Sequence, residues 1–143
     1  MRLVYVAAPL SAPSVQDRTL HRDRAAFIGR LIAMSGEVPI VPHLTVGGLF
    51  PGYPLHPEEA GVRKLAMDLC LSLVGNVASC DGRMVVLKAP DGSISNGCQE
   101  EMEWFQEESP EPIRLTVWDD WKAEAKWFNL WGEWNSLRLG LTR

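Results

Sequence analysis

Leu3-Val4-Tyr5-Val6-Ala7-Ala8 (LVYVAA, residues 3–8) is an unbroken apolar run at the start of the chain, rich in β-branched and aromatic side chains. A half-exposed strand alternates apolar and polar residues. A run without that alternation reads as a strand covered on both faces, the environment of a parallel sheet. LVYVAA is therefore expected to be the central strand. Beyond it, Pro9, Ser11, Pro13 and Ser14 interrupt regular structure. From Val15 the apolar positions Leu20, Ala25, Phe27, Ile28, Leu31 and Ile32 recur near helical spacing, until Gly36 closes the helix.

The same alternation of element types continues. Residues 37–42 (EVPIVP) form a short second strand, and 43–59 (HLTVGGLFPGYPLHPEE) a Gly- and Pro-rich connection of the length that functional loops have. From Glu58 to Ser79, apolar side chains at 62, 65, 66, 69, 73 and 77 predict an amphipathic helix, which Cys80 and Asp81 end. Residues 83–88 (RMVVLK) are a third strand, 89–97 (APDGSISNG) a turn leading into a helix over Gln99–Glu108, and 113–118 (IRLTVW) a fourth strand. Strands separated by helices long enough to cross a sheet pair in parallel through right-handed crossovers. The expectation is a flavodoxin-like or Rossmann-like three-layer α/β domain, one domain over residues 1–143, with four or five parallel strands in the order 2-1-3-4. From Asp119 a Trp-rich helix follows, with Trp121, Trp127, Leu130, Trp131, Trp134 and Leu137 near one stripe. Such a stripe packs on the sheet or on a neighbouring subunit.

Bulk properties narrow the partners. A chain of 143 residues with 46% apolar and 22% charged residues has the size and composition of one folded domain. Its net charge of −4 argues against duplex nucleic acid, whose ligands carry clustered Lys and Arg. No apolar run approaches the ~20 residues of a membrane span, and Met1 leads directly into a strand, so a cytoplasmic location without membrane attachment is expected. Cys70, Cys80 and Cys98 form no CxxC pair and read as reduced thiols, Cys70 and Cys80 as small buried hydrophobes.

In a doubly wound sheet the ligand crevice lies at the carboxyl ends of the strands flanking the switch in strand order. The third of the loops that line it carries Ser95, Gly97 and Glu101, an S-x-G-x-x-x-E pattern at a helix start. Gly permits close approach there, and free backbone N–H groups favour an anion. Glu101 would lie one turn in, on the face of Gly97. A Glu near a helix start also complements the helix dipole, and Glu100 and Glu103 are neighbouring acids, so the pattern alone leaves both readings open. Tyr5, read from its strand alone, is a core aromatic with a satisfied hydroxyl.

The segments LVYVAAPLSAP, RDRAAFIGRLIAMSGEVPIVPHL, GVRKLAMDLCLSLVGNVASCDGRMVVL and SISNGCQEEMEWFQEE, which together cover most of residues 3–108, resemble the nucleoside 2-deoxyribosyltransferase superfamily, in particular its small phage and bacterial members of unknown function. The resemblance implies a Glu nucleophile at Glu101, an assisting acid on the preceding helix at Asp68, and a Tyr on strand one, Tyr5, that orients the Glu. Asp68 has a rival in Asp81 and a bland alternative as a solvent-facing helix residue. The enlarged turn KAPDGSISNG departs from tighter turns elsewhere in the superfamily. Cleavage of an N-glycosidic bond passes through an oxocarbenium-like state that a carboxylate stabilises or captures, while a second acid protonates the departing base.

Around these, Ser11, Ser14, Ser93 and Ser95 are candidates for a phosphate or a ribose hydroxyl, His43 for the base, and Arg63 for Asp68 or a phosphate. Leu49, Phe50 and Tyr53 could close over a nucleobase. The sequence reading is thus cleavage or transfer at the N-glycosidic bond of a (deoxy)nucleoside or nucleoside 5′-monophosphate. A non-catalytic nucleotide-binding module using the same pocket is the alternative. No cofactor is implied, and no HxxxH or HExxH pattern suggests a metal. A small-molecule nucleoside or nucleotide partner and a homo-oligomer, a dimer or larger, complete the expectation.

Overall fold

Successive side chains of a strand point to opposite faces, and this parity divides the core in two. The computed structural model describes residues 1–9, 14–46, 49, 60–89 and 91–116. Strands β1 (Leu3–Ala7), β2 (Val38–Ile40), β3 (Arg83–Leu87) and β4 (Arg114–Thr116) form one parallel sheet in the order β2-β1-β3-β4. Residues 3–5 of β1 pair with 38–40, and residues 4–7 with 83–86, so β1 is central, as its unbroken apolar run requires. Residues 85–87 of β3 pair with 114–116 of β4.

Helix α1 (Val15–Met34) begins where the Ser14 hydroxyl accepts from the Asp17 amide at 3.0 Å. A short helix α2 (Pro42–Thr45) and the long helices α3 (Ala60–Ser79) and α4 (Asn96–Glu108) follow. Val6, Ala8 and Leu87 face Ala25, Ile28 and Leu31 of α1. Tyr5, Ala7, Met84 and Val86 face Ala66, Cys70, Val74 and Val77 of α3 with Cys98 and Phe105 of α4. Three layers result: α1, the sheet, and the α3–α4 pair.

Boundaries differ from expectation for local reasons. β2 stops at Ile40 because Pro42 occupies the first turn of α2, where its missing N–H is harmless. Helix α4 starts three residues earlier than the apolar pattern indicated, since the Ser95 hydroxyl accepts from the Cys98 amide at 3.2 Å and caps it. The buried face of α3 runs through 66, 70, 74, 77 and 78, whereas Leu65 and Leu69 are exposed, so the core stripe is rotated from the one read in the sequence. Cys80, expected inside, is exposed in the turn after α3. The last two residues of the expected fourth strand, the Trp-rich helix from Asp119, and Phe50 and Tyr53 lie outside the described residues. Among the described residues no helix is long and apolar enough to cross a membrane.

The turn from α3 into β3 is tightly specified. Asp81 adopts φ 56°, a left-handed conformation that Asp tolerates better than most residues. A Cβ on the adjoining Gly82 would meet the carbonyl oxygens of Val77 at 2.7 Å and Leu3 at 2.8 Å. Both are backbone atoms that cannot swing aside. Gly82→Ala is expected to destabilise by about 2–3 kcal/mol, read as a lower midpoint in urea unfolding.

Candidate active site

Helix α4 is amphipathic, and its buried positions are Cys98, Glu101 and Phe105, at spacings of three and four residues. Glu101 is therefore a carboxyl on the apolar stripe of a helix, 2% exposed, at a place where an isolated charge is strongly disfavoured. Its partner comes from the central strand. The parity of β1 sends Tyr5, fully buried, to the α3–α4 side, where its hydroxyl donates to Oε2 of Glu101. From α3 the Cys70 thiol packs beside Tyr5, and Cys98 borders the carboxyl.

Burial dominates the electrostatics of this cluster. It pushes the Glu101 carboxyl up to about 8; the Tyr5 hydrogen bond opposes that shift and Glu100 adds to it. Burial, then the neighbouring Glu101, holds the Tyr5 phenol well above its ordinary value. The Cys70 and Cys98 thiols are pushed up to about 12, again by burial first and the Glu101 charge second. Both thiols stay protonated at neutral pH and are poor nucleophiles. Glu101 alone can switch between acid and carboxylate near physiological pH.

The other expected site residues divide. Ser95 caps α4, its hydroxyl accepting from the Cys98 amide. A Cβ on Gly97 would meet only the Met67 sulfur at 3.7 Å, an ordinary contact, so no neighbouring side chain or backbone of the protein demands glycine there. His43 sits in α2 rather than on an exposed loop, 2% exposed, with its ring hydrogen-bonded to the backbone at Pro9 and Ala8 just beyond β1. Burial pulls its pKa down to about 4, so the ring is neutral and braces the tip of β1. Ser11 lies outside the described residues.

Asp68 does not join the pair. Its side chain is 58% exposed and forms an ion pair with Lys64 at 3.0 Å, one helical turn away. The reason is angular: Asp68 falls two residues from both Ala66 and Cys70, on the side of α3 opposite its buried stripe. Lys64, not Arg63, is its partner, and Arg63 is exposed on the same helix. Two thiols and an arginine escaped the sequence reading. Cys70 reads from sequence as a small buried hydrophobe, and Cys98, beside the S-x-G-x-x-x-E pattern, as a thiol without a partnered base; their position against Glu101 is visible only in the fold. Arg24 is 4% exposed and donates to the Lys88 carbonyl at the end of β3, close to the strand tips. Among the described residues no group of three His, Cys, Asp or Glu could hold a metal ion.

The pKa of Glu101 ties stability to pH. It is raised to about 8 from an ordinary 4.5, so across that window the native chain keeps a proton that the unfolded chain releases. Stability is then expected to fall as pH rises from about 4.5 towards 8, with a slope of up to roughly 1.4 kcal/mol per pH unit. Urea unfolding measured across this range should show that slope in the native chain and lose it in Glu101→Gln. Tyr5→Phe, which removes the opposing hydrogen bond, should extend the decline to higher pH. No protein-family model, curated protein or solved structure matches this chain.

Proposed function

We propose that the protein acts on the N-glycosidic bond of a nucleoside or nucleoside 5′-monophosphate, by hydrolysis or transfer, with Glu101 as nucleophile. The buried pair of Tyr5 and Glu101 supports this reading above all else. A tyrosine hydroxyl aimed at a core carboxyl fixes one oxygen and leaves the other directed by α4. A carboxylate so held is preorganised to meet a developing positive charge at an anomeric carbon. The resemblance of residues 3–108 to nucleoside 2-deoxyribosyltransferases supplies the substrate class.

In the proposed reaction a Glu101 oxygen bonds to C1′ while the C1′–N bond breaks, and the base leaves with that electron pair and takes a proton from water. Water, or a second base, then attacks C1′ and frees the Glu101 carboxylate. Tyr5 is a positioning residue. It favours the ionised carboxyl against the burial that opposes it. Asp68, turned to Lys64, has no part in this scheme.

The alternative, a non-catalytic nucleotide-binding module, draws support from the same exposed Asp68 and from the 2% exposure of Glu101. Incubation with deoxynucleosides and their 5′-monophosphates, followed by chromatography of free base, separates the two. The glycosidic reading expects base release that drops about 10³-fold or more in Glu101→Gln. Undiminished release in that variant would remove Glu101 as nucleophile, and tight ligand retention without release would favour the binding module. For the enzyme, kcat/KM should climb as pH rises through about 8 with ionisation of Glu101, and this limb should move upward in Tyr5→Phe.

The proposal includes self-assembly into at least a dimer. Leu65, 51% exposed, and Leu69, 37% exposed, lie one turn apart on α3 and support an apolar contact between copies. Light scattering giving a clean monomer would remove this part.

A further inference from the structure

Burying a charged or polar side chain is costly, so each one in a core asks for a reason. Glu101 has Tyr5. The other buried charged or imidazole side chains among the described residues, Arg18, Arg24 and His43, are all of the basic type. Arg24 donates from Nη1 to the Lys88 carbonyl, just past the carboxyl end of β3, and His43 hydrogen-bonds the backbone at Ala8 and Pro9, just past that of β1. Arg18 and His21 precede Arg24 at intervals of three residues, on neighbouring turns of α1. His21 is half-buried, and its Nδ1 is buried with no hydrogen-bond partner among the described residues. The helix sorts its charges: Arg18 and Arg24 turn inward, while Asp17, Arg22 and Asp23 are exposed. Burial lowers the pKa of His21; Asp17 opposes that and Arg24 adds to it. Burial lowers that of His43 too, and His21 and Arg22 push the same way. A chain of net charge −4 thus keeps a local basic cluster beside the ends of β1 and β3. In the order β2-β1-β3-β4 the chain leaves β1 and β3 in opposite directions, and the crevice outside such a switch point is where open α/β sheets take ligands.

We propose that Arg24 and His21, flanked by Arg18, form a seat for a phosphate group, and that the ligand of the Glu101 site is therefore a nucleoside 5′-monophosphate rather than a free nucleoside. The second half rests on the glycosidic reading above; the first does not. A guanidinium is a planar fork that matches two phosphate oxygens, and its bond to the Lys88 carbonyl orients Arg24 before any ligand arrives. A neutral imidazole adds an N–H donor. The described serines that the sequence offers for a phosphate are engaged locally: Ser95 accepts from the Cys98 amide, and Ser93 donates to Asp91 in its own turn. Strand parity sets the geometry. Val6 faces α1 and Tyr5 faces α4, so the basic cluster and the Glu101 carboxyl lie on opposite sides of β1. A nucleotide laid across the ends of β1 and β3 would set its phosphate on the α1 side and its anomeric carbon on the α4 side.

The test compares the full native chain with Arg24→Met, which removes the fork and keeps most of the stem. Base release is measured from each of the four common deoxynucleosides and from its 5′-monophosphate. The native chain is expected to favour the monophosphate by at least about 100-fold in kcat/KM, and Arg24→Met to bring that ratio down to about threefold or less. A merely structural loss would slow both substrates together and leave the ratio in place. No preference for the monophosphate in the native chain, or an undiminished preference in Arg24→Met, would overturn the proposal. If no base is released from any substrate, the glycosidic reading has failed, and equilibrium dialysis with inorganic phosphate and with the labelled monophosphates tests the seat by itself. Binding at least about tenfold weaker in Arg24→Met is then expected; equal binding, or none to the native chain, sinks the seat. Should Arg24→Met fail to fold, Arg24→Lys, which keeps the charge and loses the fork, replaces it with an expected loss of about tenfold in the same measurements.

Discussion

The hydrogen bond from the Tyr5 hydroxyl to the Glu101 carboxyl is the constraint around which this structure is organised. A carboxyl on the inner stripe of α4 has no access to bulk water, and leaving it without a partner would cost several kcal/mol. Tyr5 meets that need from the central strand. The bond therefore sets how far α4 slides over the sheet and how it rotates about its own axis, because one residue's displacement along α4 would separate the two oxygens. Packing of Phe105 and Cys98 alone would tolerate such shifts far better, since apolar contacts have no direction.

The same burial that makes the pair structurally decisive makes it chemically tunable. Desolvation moves the Glu101 carboxyl into the range where both protonation states are accessible, while the flanking thiols are pushed out of it. One group in the cluster can thus change charge near neutral pH, and its neighbours cannot. Perturbed acids of this kind concentrate at functional sites, though ion-pair and core networks also produce them.

Much of the architecture was legible from residues alone. LVYVAA announced a central strand, and the alternation of strand-like and helix-like segments led to four parallel strands in the observed order. Residues whose role depends on rotation about a helix axis were less legible. Along α3 the apolar residues 62, 65, 66, 69, 70, 73, 74 and 77 are numerous enough to define two adjacent stripes, and the protein buries the one through Cys70 and Val74 while Leu65 and Leu69 face outward. That rotation carries Asp68 to the solvent side. Glu101 and Tyr5 were identifiable as a pair through family resemblance, whereas periodicity alone would have made Tyr5 a plain core residue. His43 and Arg24 show the limit of linear reading: the polar groups each one meets, at Ala8 and Pro9 and at Lys88, lie in other elements.

The placement of the first strand in the middle of the sheet has a consequence for how the chain must fold. β1 pairs with β2 some 35 residues later and with β3 about 80 residues later, and its tyrosine meets an acid 96 positions away. These are contacts of long sequence separation, whose loop-closure entropy must be met before packing rewards it. During synthesis β1 emerges before either partner; β2 can cover one edge, and the other stays unpaired until the third strand appears. An uncovered strand of that composition is a template for association with other chains, so the protein's yield in a cell rests on the interval between the first strand and its last partner.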